Sequence, residues 1–259
     1  MPLSPQSTEL APAFSSGSAF VRACAAMAGI SVVLLPTILL CLPLLPWRRN
    51  RVQLGNIAGG LVSRWVMWCF NMHYELVGPH PGEFAPALFV QNHTGTIDFW
   101  LALQLSPTPS SGTAKRSLIW VPFVGVAYWL SGHLMLDRGN SASAIAAMKS
   151  MTEFVHSSGI SIWILPEGTR SESGRLLPFK KGFVHIALGT QLPIVPVVVH
   201  DGHLLWGKGW PIRPGTVRIE VQPAISTEHW SRETMHEHVA ELEAVFRERL
   251  GPHQQPVSQ

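Results

Sequence analysis

From Ala23 to Trp47 the chain carries no charged residue, and Val32-Val33-Leu34-Leu35 and Ile38-Leu39-Leu40 within it are strongly apolar. A helix over that run is long enough to cross a hydrocarbon core of about 30 Å, so the fold must bury the stretch or give it to a membrane. A cleaved signal does not fit, because the basic start is nearly absent and the apolar run is too long. Pro36 and Pro43 interrupt the run, which sets a bent or re-entrant anchor against a straight span. Arg48, Arg49 and Arg51 follow directly, against Arg22 alone before it. The positive-inside rule then places everything after Trp47 in the cytoplasm. A second stretch, about 54–70, mixes Ile57, Leu61, Val62, Trp65, Val66 and Trp68 with Arg64 and reads as a segment lying flat in the interface. Residues 1–18, rich in Ser, Pro and Ala, read as disordered, and 19–72 as a helical membrane-anchoring segment.

The rest of the composition agrees with a membrane-facing protein. Hydrophobic residues make up 46% and charged residues 14%, and ten Trp stand against two Tyr. A net charge of +3 suits contact with anionic lipid or phosphate and is too small to argue for nucleic acid. Cys24, Cys41 and Cys69 show neither CxxC nor zinc spacing and read as small buried hydrophobes in a reducing compartment.

After Gly78-Pro79 the pattern becomes short β-rich runs alternating with helical stretches. Strands are expected at Ala87–Val90, Leu118–Val121, His133–Leu136, Ile160–Leu165, Ile194–Val199 and Thr216–Val221. Helices are expected at about Thr96–Leu105, Phe123–Leu130, Asn140 or Ser141 to His156, and Phe179–Thr190. A last helix, capped by Ser226 or Thr227, carries the stripe Met235, Val239, Leu242, Phe246 and Leu250. Pro107–Gly112 reads as a loop. This alternation predicts an α/β fold with a largely parallel central sheet flanked by helices, behind the N-terminal apolar helical segment.

At the end of the first of these strands stands Asn92-His93-Thr94-Gly95-Thr96-Ile97-Asp98. On one continuous helix His93 and Asp98 would point roughly 140° apart. With His93 in the loop after a strand and Asp98 in the first turn of the next helix, the carboxylate folds back onto the imidazole. It then fixes the ring's tautomer and leaves the other nitrogen to take a proton from a hydroxyl. Thr96 is the expected helix N-cap. Backbone N–H groups of the Gly95 turn are candidates to stabilise an oxyanion. Two further strand ends are cationic. Pro166-Glu167-Gly168-Thr169-Arg170-Ser171 offers a glycine for close backbone approach and a guanidinium fork that matches phosphate. Pro178-Phe179-Lys180-Lys181-Gly182 puts two ammonium groups at a helix start, and Asp137-Arg138 supplies a further cationic strand end.

In order and spacing these blocks resemble the lysophosphatidic acid acyltransferases, the 1-acyl-sn-glycerol-3-phosphate acyltransferase family. Asn92-His93 through Asp98 resembles the His-x4-Asp catalytic motif. Lys115, Pro122, Gly125 and the run to Asp137-Arg138 resemble the second block, and the run 166–171 with Gly174 and Phe179–Gly182 the third. Leu192-Pro193-Ile194-Val195-Pro196-Val197 resembles the fourth. The similarity spans roughly 75–225 and departs at Gly95, where many members carry serine. It implies that 73–250 is a catalytic domain, held at the cell inner membrane and facing the cytoplasm, while the His-containing stretch 251–259 reads from its own residues as a solvated tail. The implied reaction carries a fatty acyl group from acyl-CoA or acyl-carrier protein to the hydroxyl of a lysophospholipid, in phospholipid biosynthesis. In it His93 is the base and Asp98 orients it. Arg138, Arg170, Lys180 and Lys181 neutralise acceptor phosphate, and Gly168 and Thr169 line the same block. Glu167 either binds the acceptor's glycerol or braces Arg170. No metal or further cofactor is implied, and the expected partners are the acceptor, the donor and membrane lipid, with no nucleic acid.

Three other readings compete. A relative acting on another acceptor, such as lyso-ornithine lipid, shares the whole pattern. A membrane lipid-binding protein on the same fold predicts loss of the His–Asp pair, which is present. His200-Asp201-Gly202-His203 lacks the i, i+4 spacing of a helical metal site and reads as a turn.

Overall fold

The computed structural model describes residues 10–121, 123–136, 141–209 and 211–256. Among them run seven strands: β1 (Met72–Val77), β2 (Leu88–Gln91), β3 (Ser110–Lys115), β4 (Leu134–Leu136), β5 (Ser161–Ile164), β6 (Ile194–His200) and β7 (Gly215–Val221). They form one sheet in the order β1-β7-β6-β2-β5-β3-β4. Every pairing is parallel except β6 with β7, so β1 and β7 run against the other five. The expected largely parallel sheet flanked by helices is the one observed. β2 is central, with β6 on one side and β5 on the other. Chain connections diverge at that point, and the loops after these three strands meet at their carboxyl ends, where α/β sheets place their ligands.

Every residue of β2 and β5 is buried, as parallel strands covered on both faces require. Alternate side chains feed two cores. Phe89 stacks on Trp163 with centroids 5.1 Å apart and joins Val195 and Val197 beneath the N-terminal helices. Leu88, Val90, Ile162 and Val198 face the other way, against α6 (Gly182–Thr190) and α8 (Met235–Arg249). The predicted stripe of α8 is seated there, with Leu242, Phe246 and Leu250 buried. The remaining helices are α1 (Ser16–Cys41), α2 (Arg48–Cys69), α3 (Ile97–Leu105), α4 (Val124–Leu130), α5 (Ser141–Ser158) and α7 (Gly202–Trp206).

α1 and α2 pack antiparallel. Arg22 near the start of α1 donates to the Cys69 carbonyl at the end of α2, and the Trp65 indole donates to the Ala25 carbonyl at 3.0 Å. Gly29 allows this approach, since a Cβ there would fall 2.1 Å from Trp65 Nε1. α1 runs through Pro36 and ends before Pro43. It is long and apolar enough to cross a membrane, and 28% of its most apolar window is buried in the protein. One face, with Ala26, Ile30 and Leu34, enters the core beneath the sheet. The other exposes Phe20, Val32, Leu35 and Leu39, beside Ile57, Leu61 and Trp68 of α2. The three arginines read as an orientation signal have local partners. Arg48 donates to the Gly132 carbonyl at 2.9 and 3.1 Å, Arg49 to the Ser158 carbonyl at 3.1 Å, and Arg51 to the Leu130 carbonyl.

Several expectations need correction. The stretch 1–18 is described from Leu10, and its end is already helical from Ser16, with the Ser15 hydroxyl accepting the Ser18 N–H. Leu118–Val121 is not a strand: Arg116–Trp120 forms a 3-10 turn with Trp120 85% exposed. The strand lies earlier, at Ser110–Lys115, and starts within the expected loop. Its small polar residues let α2 close over it, and the Asn56 side chain brackets the Ser110 backbone at 2.8 and 2.9 Å. Ser226 and Thr227 do not cap α8, which begins at Met235, and the Thr227 hydroxyl instead donates to the Leu192 carbonyl at 3.1 Å. Cys24 is exposed, while Cys41 and Cys69 are buried.

Candidate active site

β2 delivers Gln91, Asn92 and His93 to the carboxyl edge of the sheet, and Asp98 stands in the first turn of α3. The imidazole Nδ1 of His93 lies 3.1 Å from Asp98 Oδ2. The same oxygen accepts the N–H groups of Thr94 at 2.5 Å and Gly95 at 2.7 Å. A carboxylate only accepts, so Nδ1 carries the proton and Nε2 holds the lone pair. Asp98 is fully buried, and the His93 side chain keeps 19% of its surface open. The loop-to-helix geometry expected for this pair is present.

The Gly95 turn does not supply an oxyanion hole. The Thr94 and Gly95 amides are spent on Asp98, and the Thr96 amide donates to the carbonyls of Trp206 at 2.7 Å and Gly207 at 3.1 Å. Thr96 occupies the N-cap position of α3 without a side-chain cap bond. Its hydroxyl donates to the Gly207 carbonyl at 2.6 Å and accepts from Arg170 Nη1 at 2.7 Å. Asp98 gathers the upstream amides in its place.

Around His93 the loop after β5 closes as a clamp. The His93 N–H donates to Glu167 Oε1 at 2.7 Å, and the His93 carbonyl accepts the Ser171 N–H at 3.0 Å. Glu167 Oε2 accepts the Leu177 N–H at 3.1 Å. Glu167 therefore braces the catalytic loop rather than Arg170. Burial pushes its carboxyl up to about 8, the two amide donors pull it back, and the Asp98 and Glu243 charges add to the rise. The sign of the stability effect follows. The folded state holds this proton above the unfolded value of about 4.5, so the gain is full below that pH and is lost as pH rises through about 8. Thermal melts from pH 4 to 9 are expected to show this slope in the wild type and lose it in Glu167→Gln. An unchanged slope in the variant would assign the pH dependence elsewhere.

Of the other predicted residues, Gly168 takes a left-handed φ of 71°, and the Lys180 side chain lies against it, 3.1 Å from where a Cβ would stand. Thr169 is exposed at the loop surface. Arg170 reaches the catalytic loop through Thr96. Lys181 turns away, its ammonium 2.8 Å from His236 Nε2 of α8. The structure thus gathers His93, Asp98, Glu167, Gly168, Arg170 and Lys180, while Arg138 lies outside the described residues. His200 lies 3.2 Å from Glu220 and Asp201 lies 2.6 Å from His253, so the His200–His203 run diverges. Among the described residues no group of three His, Cys, Asp or Glu side chains converges as metal ligands do.

Two positioning residues were missed. The Asn92 side chain donates to the Val199 carbonyl at 2.9 Å and accepts the Val199 N–H at 2.7 Å, extending the pairing with β6 past the strand end. Gln91 donates to the Asp98 carbonyl at 3.2 Å and accepts from the Trp163 indole at 2.8 Å. A pair of amide side chains closing an apolar strand was the available signal, because a buried amide must find partners.

A family model described as Acyltransferase matches residues 78–200. A 1-acyl-sn-glycerol-3-phosphate acyltransferase of Limnanthes alba is 37% identical over 215 residues, covering 83% of this chain and 76% of that protein. One from Cocos nucifera is 36% identical over 92% of this chain and 77% of its own length. One from Escherichia coli K12 is 31% identical over 70% and 74%. Among solved structures, the 1-acyl-sn-glycerophosphate acyltransferase PlsC from Thermotoga maritima superposes with a TM-score of 0.70 over 89% of this chain and 92% of that one, at 22% identity.

Proposed function

The chain belongs to the 1-acyl-sn-glycerol-3-phosphate acyltransferase family, and from that premise we propose that it acylates the free hydroxyl of lysophosphatidic acid to give phosphatidic acid. The observation that carries the mechanism is the His93–Asp98 pair, with Nδ1 tied to the carboxylate and Nε2 open. Nε2 takes the acceptor's hydroxyl proton as its oxygen attacks the thioester carbonyl. The new ester C–O bond forms, the C–S bond breaks, and the imidazolium returns the proton to the departing thiolate. Asp98 holds the ring and offsets its transient positive charge. Arg170 and Lys180 supply the charge that a phosphate on the same acceptor requires. The donor is a thioester of CoA or of acyl-carrier protein.

An apolar slot between the N-terminal helices and α3, lined by Leu34, Ala58, Val62, Phe99, Trp100 and Leu103, has a volume of about 50 Å³, room for no more than the end of an acyl chain. The exposed apolar faces of α1 and α2 support membrane attachment. Both ends of α1 rest on the rest of the protein, through Phe14 against Phe70 and through Cys41 near Ser131. This favours a hairpin lodged in one leaflet over a straight span. We place it in the cell inner membrane, with the catalytic part facing the cytoplasm and its soluble donors.

The test is acyl transfer in membranes carrying the protein, with lysophosphatidic acid and lyso-ornithine lipid side by side. Phosphatidic acid as the product supports the reading. Transfer to lyso-ornithine lipid alone overturns the acceptor and keeps the chemistry.

A further inference from the structure

Beside the catalytic loop lies a second concavity that the motifs do not reach. It has a volume of about 430 Å³, within the range of small-molecule sites, and Glu172, His203, Gly207, Lys208 and Arg213 line it. The segment from α7 to β7 builds this wall. An antiparallel bridge joins Trp206 to Ile212, and the Arg213 N–H donates to the Leu205 carbonyl at 2.8 Å. The Ile212 carbonyl also accepts the Phe14 N–H at 3.0 Å. Arg213 is half-buried and, among the described residues, its guanidinium has no carboxylate partner. Lys208 is paired with Glu172, an exposed contact that an incoming anion can displace at little cost.

The position ties this cavity to the chemistry. Gly207, on its wall, takes the Thr96 amide and hydroxyl, and the Thr96 hydroxyl takes Arg170 Nη1. One wall residue of the cavity is thus bonded to Thr96, three residues along the chain from His93, and through it to Arg170. Its lining holds two fixed cations and one anion, and the His203 imidazole, held below its usual range chiefly by burial, is neutral at pH 7. The His203 ring packs on Gly174, where a Cβ would fall 2.3 Å from it. This fixes the wall to the same loop that clamps His93.

Resting on the acyl-transfer reading above, we infer that Lys208 and Arg213 form a phosphate-ester subsite that holds one substrate against the catalytic loop. Two substrates of the reaction carry such esters: a CoA-type donor, and the lysophospholipid acceptor, whose single phosphate would then be met by this pair in place of Arg170 and Lys180. The shared chemistry is a dianionic or diester phosphate met by a guanidinium fork and an ammonium.

The experiment uses the full chain in detergent and measures inorganic phosphate binding for wild type, Arg213→Ala and Lys208→Ala. Losing one charge-assisted contact is expected to weaken binding about tenfold in each variant. Lys208 is 57% exposed, so its replacement leaves the fold intact should Arg213→Ala unfold. Steady-state assays with lysophosphatidic acid and acyl-CoA varied in turn then name the source. A raised KM for the acceptor assigns the subsite to the lysophospholipid, and a raised KM for acyl-CoA assigns it to the donor. Arg213→Lys is expected to recover part of the loss. Phosphate binding unchanged in both variants overturns the subsite. Phosphate binding weakened in a protein that acylates no lysophosphatidic acid keeps the subsite and overturns the acceptor reading instead.

Discussion

A His93→Ala variant is expected to lose about a thousandfold in acyl-transfer rate while its melting temperature stays within a few degrees of wild type. The rate falls because the open Nε2 is the base poised at the strand end, and the alanine variant leaves no lone pair there. Stability is spared because the ring is partly exposed, and the bonds that shape the loop come from the Asp98 carboxylate to the Thr94 and Gly95 amides. Glu167 and Ser171 hold the His93 main chain, which alanine keeps. Initial rates with saturating donor and acceptor, beside a thermal melt, separate the two effects. Activity within tenfold of wild type would remove His93 from the chemistry.

Gly95→Ser is expected to cost about a hundredfold in activity and about 5 °C in melting temperature, although the hydroxymethyl group is small. A Cβ at position 95 falls 2.4 Å from the Trp206 carbonyl oxygen and 3.3 Å from the His203 Cα. Both obstacles are backbone, and the Trp206 oxygen already holds the Thr96 amide. The side chain must push α7 off the catalytic loop or pull Thr96 from its acceptors. Overpacking of this kind costs about 1–3 kcal/mol, and each kcal/mol moves the midpoint of a chain this size by about 2–4 °C. Wild-type activity and melting in the variant would show that α7 yields freely.

The sequence expressed the central strands and the His93–Asp98 pair because both rest on short-range rules. A short apolar run bounded by turn residues, such as Ala87–Val90, suits a covered strand, and a histidine in the loop after it can meet an acid in the first turn of the next helix. What stayed hidden depends on contacts between distant segments. β3 is Ser-Ser-Gly-Thr-Ala-Lys and carries no strand signature, since its small residues serve the close approach of α2 and the Asn56 amide. The constraint on Gly95 comes from the Trp206 carbonyl, more than a hundred residues away, and no local pattern expresses it. Glu167 was open between the acceptor's glycerol and Arg170, and its amide partners at His93 and Leu177, the latter beyond its own motif, give it a third role, bracing the catalytic loop.

The arginine fastening of the hairpin makes the anchor non-modular. In a tethered enzyme the membrane segment is a cassette, and another protein's tail can replace it without cost to turnover. Here Arg48, Arg49 and Arg51 plug the carbonyls of residues 132, 158 and 130, and α1 and α2 wall the slot beside α3. A chimera with a foreign anchor would lose one side of that slot and uncover Phe89 and Leu101. Anchor and catalyst are therefore inherited together, and a rearrangement that exchanges one without the other yields a membrane-bound but unfinished enzyme.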